Sequence, residues 1–331
     1  MPGAGALADP RTGDEIVAIK VVSVRDSEPG GAVTMADVEE LRREGEIASP
    51  FKHDNICRLL GFVGGSSFHC LVYEYCAGGS LQDVIADASI PYEYLGIALD
   101  IANGMAYLHS HDVIHRDLKS TNVLIDCNGR AKIADFGLSV RASSGQELTA
   151  ETGTYRWMAP EVIRHESYSS NADVYSFAIV LWQLITREVP FKDLTPIQAA
   201  FAVAQEDRRP EIPNNTKPQL SRLISMCWHA EQQSRPSFYY IVQTLATFIR
   251  ESFDPAGVSL RTVAIADSAL LSVQGNSTVN VGPGVSLVRS DSCDDFFFSM
   301  EDDSDADRSS DSRDRASSNL NVSRGGYLRW R

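Results

Sequence analysis

An α+β fold followed by a disordered acidic tail is the fold class this sequence predicts, on three observations. An alternating segment from Ile16 to Val24 reads as a strand. Between Pro91 and Ser110 the apolar residues Tyr94, Ala98, Ile101, Met105 and Leu108 recur at three to four positions, the period of a helix, and Pro91 suits its first turn. Beyond about Glu251 sustained periodicity stops, and Ser and Asp dominate from Asp291 to Asp314.

The elements follow in order. After the first strand, Thr34-Met35-Ala36-Asp37 carries a capping-box pattern, and Val38, Leu41 and Ala48 continue it as a helix. Gly45 within that helix should cost about 1 kcal/mol against alanine, so the helix is expected to be loose. An apolar strand over Leu71-Val72-Tyr73 then runs into the Gly78-Gly79-Ser80 breaker. Past the helix from Pro91, the turn Cys127-Asn128-Gly129-Arg130 joins two short strands, the second at Ala131-Lys132-Ile133-Ala134. In the tail, Glu301-Asp302-Asp303-Ser304-Asp305 reads as a solvated block and Phe296-Phe297-Phe298 as an aromatic cluster able to dock a partner. The basic end from Arg324 to Arg331 could fold back on the acidic block.

Composition excludes several function classes. With 331 residues and 43% hydrophobic content the chain can bury a sizeable core. A net charge of −14 argues against a nucleic-acid binder, which needs a basic face. The six cysteines are scattered without metal spacing and suggest a reducing, cytoplasmic setting. The longest apolar run, around Phe177 to Ile185, is too short to span a bilayer.

The chemistry-bearing motifs are His115-Arg116-Asp117-Leu118-Lys119-Ser120-Thr121-Asn122, then Asp135-Phe136-Gly137, with Val17-Ala18-Ile19-Lys20 upstream. Gly153-Thr154-Tyr155-Arg156-Trp157-Met158-Ala159-Pro160-Glu161, Asp173-Val174-Tyr175-Ser176-Phe177 and Arg235-Pro236 lie downstream. Either tripeptide alone is weak evidence, but the helix, loop, hairpin, loop order around them is specific. Together they resemble protein kinases, in particular the tyrosine-kinase-like group of serine/threonine kinases that includes Raf-like, mixed-lineage and receptor-like cytoplasmic members.

That resemblance implies a bilobal fold: an antiparallel small lobe with one helix at 1–75, a mainly helical large lobe at 76–251, and a tail at 252–331. It implies transfer of the ATP γ-phosphate to serine or threonine hydroxyls of a protein substrate, with ATP and Mg2+ as cofactors. Asp117 would be the base, Lys119 would neutralise the moving phosphate, and Asn122 and Asp135 would hold the metal. Lys20 would reach the nucleotide phosphates, anchored by Glu44, with Glu46 as the fallback. The backbones of Glu74 and Cys76 would bind adenine, and Ala18 and Leu124 would sandwich its ring. Tyr73 would guard the pocket behind adenine, either donating its hydroxyl to Glu44 or simply packing in the core.

Phe136 and the buried Asp173 would be structural, and a Glu161 to Arg235 pair would tie the activation segment to the large lobe. Thr154 would bridge Asp117 and Lys119, which suits a serine or threonine nucleophile. Ala178 and Gln183, where the family more often has glycine and glutamate, read as packing variations. Arg116 would pair with a phosphate on the segment, at Thr149 or Thr152 in preference to Ser143 or Ser144, helped by Arg141. The resemblance also exposes a gap: family spacing places the last glycine of the phosphate loop near Gly3, so the first strand and most of that loop are missing. The chain is then either an amino-terminally shortened version of a longer kinase or a naturally short one. A catalytically impaired kinase-like scaffold is the alternative function.

Overall fold

A computed structural model describes residues 16–23, 35–64, 68–141 and 154–252. Val24, Thr34, Thr149, Thr152 and the glycines near the start lie outside the described residues, as does the tail from 253. The described chain forms two units, one of residues 16–49 and 59–75, the other of residues 50–58 and 76–252.

In the first unit, β1 (Val17–Ser23), β2 (Leu59–Gly64) and β3 (Phe68–Glu74) form an antiparallel sheet in the order β1-β3-β2. The central position of β3 explains its run of apolar residues: Cys70, Leu71 and Tyr73 are buried. Register sets Ala18 opposite Tyr73 and Lys20 opposite Leu71. Helix α1 (Met35–Ala48) turns Leu41, Glu44, Gly45, Ile47 and Ala48 inward, at helical spacing. Gly45 has a packing purpose that composition hides. A Cβ there would stand 2.9 Å from Leu71 Cδ2, so the glycine lets α1 approach β3 closely.

In the second unit, α2 (Leu81–Ala86) starts at a Ser80/Asp83 capping box. Helix α3 runs Tyr94–Ser110, later than the expected start at Pro91. The delay has a physical cause. Tyr92 donates its hydroxyl to the Leu184 carbonyl at 2.9 Å and carries the Arg187 guanidinium 4.3 Å over its ring, which pins this segment outside the helix, and Glu93 becomes the N-cap.

Helix α3 is followed by β4 (Val113–Ile114), the hairpin of β5 (Val123–Ile125) and β6 (Ala131–Ile133), and β7 (Val140–Arg141), which pairs with β4. Gly129 has a φ of 76° in the β5–β6 turn, a conformation glycine adopts without penalty. Then come α4 (Pro160–Ile163), α5 (Asn171–Thr186), α6 (Pro196–Gln205), α7 (Pro218–Cys227) and α8 (Phe238–Ser252). Helix α5 is buried on all faces from Ala172 to Leu184, so it serves as the core against which the other helices pack.

A sharp division at residue 75 is crossed by one segment. Residues 50–58 bury Phe51, Ile56 and Cys57 and belong to the second unit. Asn55 Nδ2 donates to the Ala131 carbonyl at 3.0 Å, Ile133 N–H to the Asn55 carbonyl at 2.9 Å, and Cys57 N–H to the Ile133 carbonyl at 2.8 Å. The segment thus lies along β6 like an added strand.

Candidate active site

In the first unit, Lys20 and Glu44 meet as expected: Nζ is 2.6 Å from Oε2. Tyr73 donates its hydroxyl to Oε1 at 2.9 Å, so both oxygens of a carboxylate only 2% exposed are satisfied. Glu46, two positions further and so on the opposite side of the helix, instead pairs with Arg42 on the surface at 2.7 Å. In the same sheet Ala18 is buried and Glu74 ends β3.

In the second unit, the loop after β4 is built around buried polar groups. His115 is fully buried and its two ring nitrogens have distinct jobs. Nε2 lies 3.2 Å from the Ala134 carbonyl, while Nδ1 accepts the Asp117 N–H at 3.3 Å, which fixes the neutral Nε2–H tautomer. Asp173, from α5, accepts the N–H groups of His115 at 2.9 Å and Arg116 at 2.8 Å, and its Oδ2 is 2.8 Å from His109 Nε2. Burial alone would raise its pKa, but its hydrogen bonds and electrostatic attraction to His109 and His115 hold it below the ordinary aspartate value. That fixed carboxylate holds Arg116 at a φ of 70°, an otherwise unfavourable backbone.

Asp117 is the centre of the cluster. Its Oδ2 accepts Lys119 Nζ at 2.6 Å and Asn122 Nδ2 at 2.8 Å, and the same Nδ2 donates to the Asp117 carbonyl at 2.9 Å. Its Oδ1 is buried and has no partner among the described residues. Lys119 Nζ also donates to Thr154 Oγ1 at 3.0 Å. The bridge is therefore the lysine, which lies between the other two, rather than the threonine as the sequence suggested. A cation with three donors can serve two acceptors at once.

The Ala134 N–H donates to the Asn122 carbonyl at 2.9 Å, which places Asp135 next to Asn122 along the chain's path. Nδ2 is spent on Asp117, the Asn122 amide oxygen accepts only a long 3.4 Å bond from Thr121 Oγ1, and Asp135 brings a carboxylate. Hard oxygen donors of this kind fit Mg2+. Asp135 has a φ of 65°, and fully buried Phe136 behind it lies 5.6 Å from the His115 ring and 5.7 Å from the Phe51 ring. Cys76 and Leu124 are buried in this unit.

The segment ahead of α4 is anchored at successive residues. Arg156 donates to the carbonyls of Pro190, Phe191 and Leu194 at 2.6–2.7 Å. Trp157 Nε1 donates to Gln183 Oε1 at 2.7 Å and the Trp157 carbonyl accepts Ser176 at 2.8 Å. Gln183 is thus a polar anchor and not a packing variation, and its Nε2 is a buried donor with no partner among the described residues. Glu161 and Arg235 form the expected pair, and the structure makes it bidentate, at 2.5 and 2.8 Å, with both side chains almost fully buried.

His115, His109 and Gln183 are positioning groups that motif matching left without a role. The signal available was their polarity within otherwise apolar runs. Arg116 Nε donates to the Tyr168 hydroxyl at 2.8 Å and its Nη1 to the Leu138 carbonyl at 3.0 Å, while the threonines expected to face it, Thr149 and Thr152, lie outside the described residues.

Comparison with known proteins places this geometry. The family model of protein tyrosine and serine/threonine kinases matches residues 4–245. The chain is 42% identical over 220 residues to serine/threonine-protein kinase STY17 of Arabidopsis thaliana, covering 66% of this chain and 39% of that one. It is 40% identical over 238 residues to serine/threonine/tyrosine-protein kinase HT1 of the same plant, covering 70% and 60%. A third relative, serine/threonine-protein kinase CTR1, also from Arabidopsis thaliana, is 38% identical over 226 residues, covering 66% and 28%. The chain thus spans less than two thirds of the length of each of these relatives.

Proposed function

Because the chain belongs to the protein tyrosine and serine/threonine kinase family, we propose that it transfers the γ-phosphate of ATP to serine or threonine hydroxyls of protein substrates. The observation that carries this reading is the orphaned Oδ1 of Asp117: a buried carboxylate oxygen with no partner costs stability unless an incoming donor uses it. Oδ1 receives the proton of the attacking hydroxyl, while Lys119 and Asn122 on Oδ2 hold the carboxylate in one orientation. Lys119 also faces the phosphate in flight, and its bond to Thr154 sets the substrate-binding segment against the base, an arrangement suited to a short aliphatic hydroxyl.

Asn122 and Asp135 would hold Mg2+, which when bound supplies charge neutralisation on the phosphates. We assign Lys20, oriented by Glu44, to the nucleotide phosphates, and Glu74, Cys76, Ala18 and Leu124 to adenine. The intact set of Lys20, Glu44, Asp117, Lys119, Asn122 and Asp135 weighs against a kinase-like scaffold. Among the described residues no helix is long and apolar enough to cross a membrane, and Cys57, Cys70, Cys76, Cys127 and Cys227 form no disulfide. A reducing cytoplasmic setting suits them.

The test is phosphate incorporation into a generic serine/threonine substrate. Asp117→Asn should lower it by a factor of at least about 100, the usual worth of a general base, and Asp135→Asn should abolish it, with unfolding midpoints near wild type. Wild-type-like transfer by either variant would overturn the proposal.

A further inference from the structure

The arginine before the catalytic base is held by a tyrosine hydroxyl. The Arg116 guanidinium bonds the Tyr168 hydroxyl through Nε at 2.8 Å and the Leu138 carbonyl through Nη1 at 3.0 Å, while its backbone N–H is held by Asp173 at 2.8 Å. Arg116 therefore ties together the base loop, the residues following Asp135-Phe136-Gly137, and the chain between α4 and α5. All of these lie within the second unit. Its Nη2 makes no hydrogen bond among the described residues.

We propose that Tyr168 is a positioning residue for phosphoryl transfer: its hydroxyl holds Arg116, and with it the Asp117 loop, in working geometry without a phosphate on the activation segment. This rests on the kinase reading above and adds its regulation. The geometry carries it. A phosphate on a segment would order the loop by giving Arg116 a fixed oxygen acceptor. Here a phenolic oxygen, on a side chain half-buried beside the guanidinium, gives Arg116 such an acceptor from the chain ahead of α5. Burial raises the Tyr168 phenol above its ordinary pKa, so the hydroxyl stays protonated and neutral across physiological pH, and its lone pair remains available to the Arg116 N–H.

The experiment compares wild type, Tyr168→Phe, Arg116→Gln and the double variant, each treated with phosphatase, reading kcat, KM for ATP and Tm. Wild type should keep its kcat after phosphatase treatment within about twofold. Tyr168→Phe should lose about tenfold in kcat, the rate equivalent of one hydrogen bond to a charged group, with KM and Tm little changed. In the Arg116→Gln background Tyr168→Phe should do nothing further, because it acts through that arginine. Wild-type kcat in treated Tyr168→Phe, additive losses in the double variant, or a kcat loss that only follows a fall in Tm would each overturn the inference. So would wild type losing most of its activity on phosphatase treatment, with Thr149→Ala or Thr152→Ala reproducing that loss. Asp117→Asn, run alongside, reports on phosphoryl transfer itself, so failure of that reading is separable from failure of this one.

Discussion

Glu44 accepts from two donors that differ in value. The Lys20 side chain is 41% exposed, so its attraction to the carboxylate is screened by water, whereas the Tyr73 hydroxyl bond is buried where β3 meets α1. Tyr73→Phe removes only that donor and should cost about 1.5–3 kcal/mol, the range for a hydrogen bond to a charged group. Urea unfolding measures it directly, and an unchanged midpoint would mean that the hydroxyl contributes nothing. The same residue shows what a sequence discloses. The candidate partners of Tyr73 could be named because Lys20, Glu44 and Tyr73 lie on adjoining elements with fixed periods. The partner of Arg116 could not, because it depends on where the chain carries Tyr168, which no local pattern specifies. Nor does spacing tell which of Thr154 and Lys119 is the middle member of a three-residue contact.

At the scale of elements, two glycines permit close packing, and their cost to the helices is offset by what they let approach. In α1, a Cβ at Gly45 would meet a side-chain carbon, Leu71 Cδ2, at 2.9 Å. In α3, a Cβ at Gly104 would stand 2.6 Å from the Asn55 carbonyl oxygen and 2.9 Å from Ile133 Cγ1. Helix propensity alone predicts that alanine at either site stabilises by about 1 kcal/mol. Packing reverses the sign. Leucine can rotate slightly, so Gly45→Ala should be destabilising by about 1 kcal/mol, while a backbone carbonyl cannot yield and Gly104→Ala should cost about 3 kcal/mol or more. Thermal unfolding of both variants checks the order, and a gain in stability at Gly104 would refute the packing account. Element types were legible from period. The start of α3 was not, because the stacking of Arg187 on Tyr92 depends on a residue far along the chain.

For the molecule as a whole, acid sensitivity should be governed by buried Asp173 in preference to surface carboxylates. Glu39, Asp87 and Glu166 are also held low, by Arg42, Ser89 and Arg164, but these groups are solvent-exposed and contribute little to stability. Asp173 has a folded pKa below its unfolded one, so its contribution is fully present above the unfolded value and is lost as pH falls through the folded value. Tm should therefore decline below about pH 4, the ordinary aspartate range, and Asp173→Asn should be less stable at neutral pH with a shallower acid slope. Parallel slopes for the two proteins would assign the acid transition elsewhere. The motifs did not disclose the allegiance of residues 50–58, since only the bonds of Asn55 and Cys57 to the β5–β6 hairpin reveal it. That strap makes the units inseparable by a single cut. A fragment beginning at Cys76 would leave one edge of β6 without its partner backbone and remove Phe51 from beside Phe136, so the helical unit inherits part of its architecture from residues synthesised before most of the sheet.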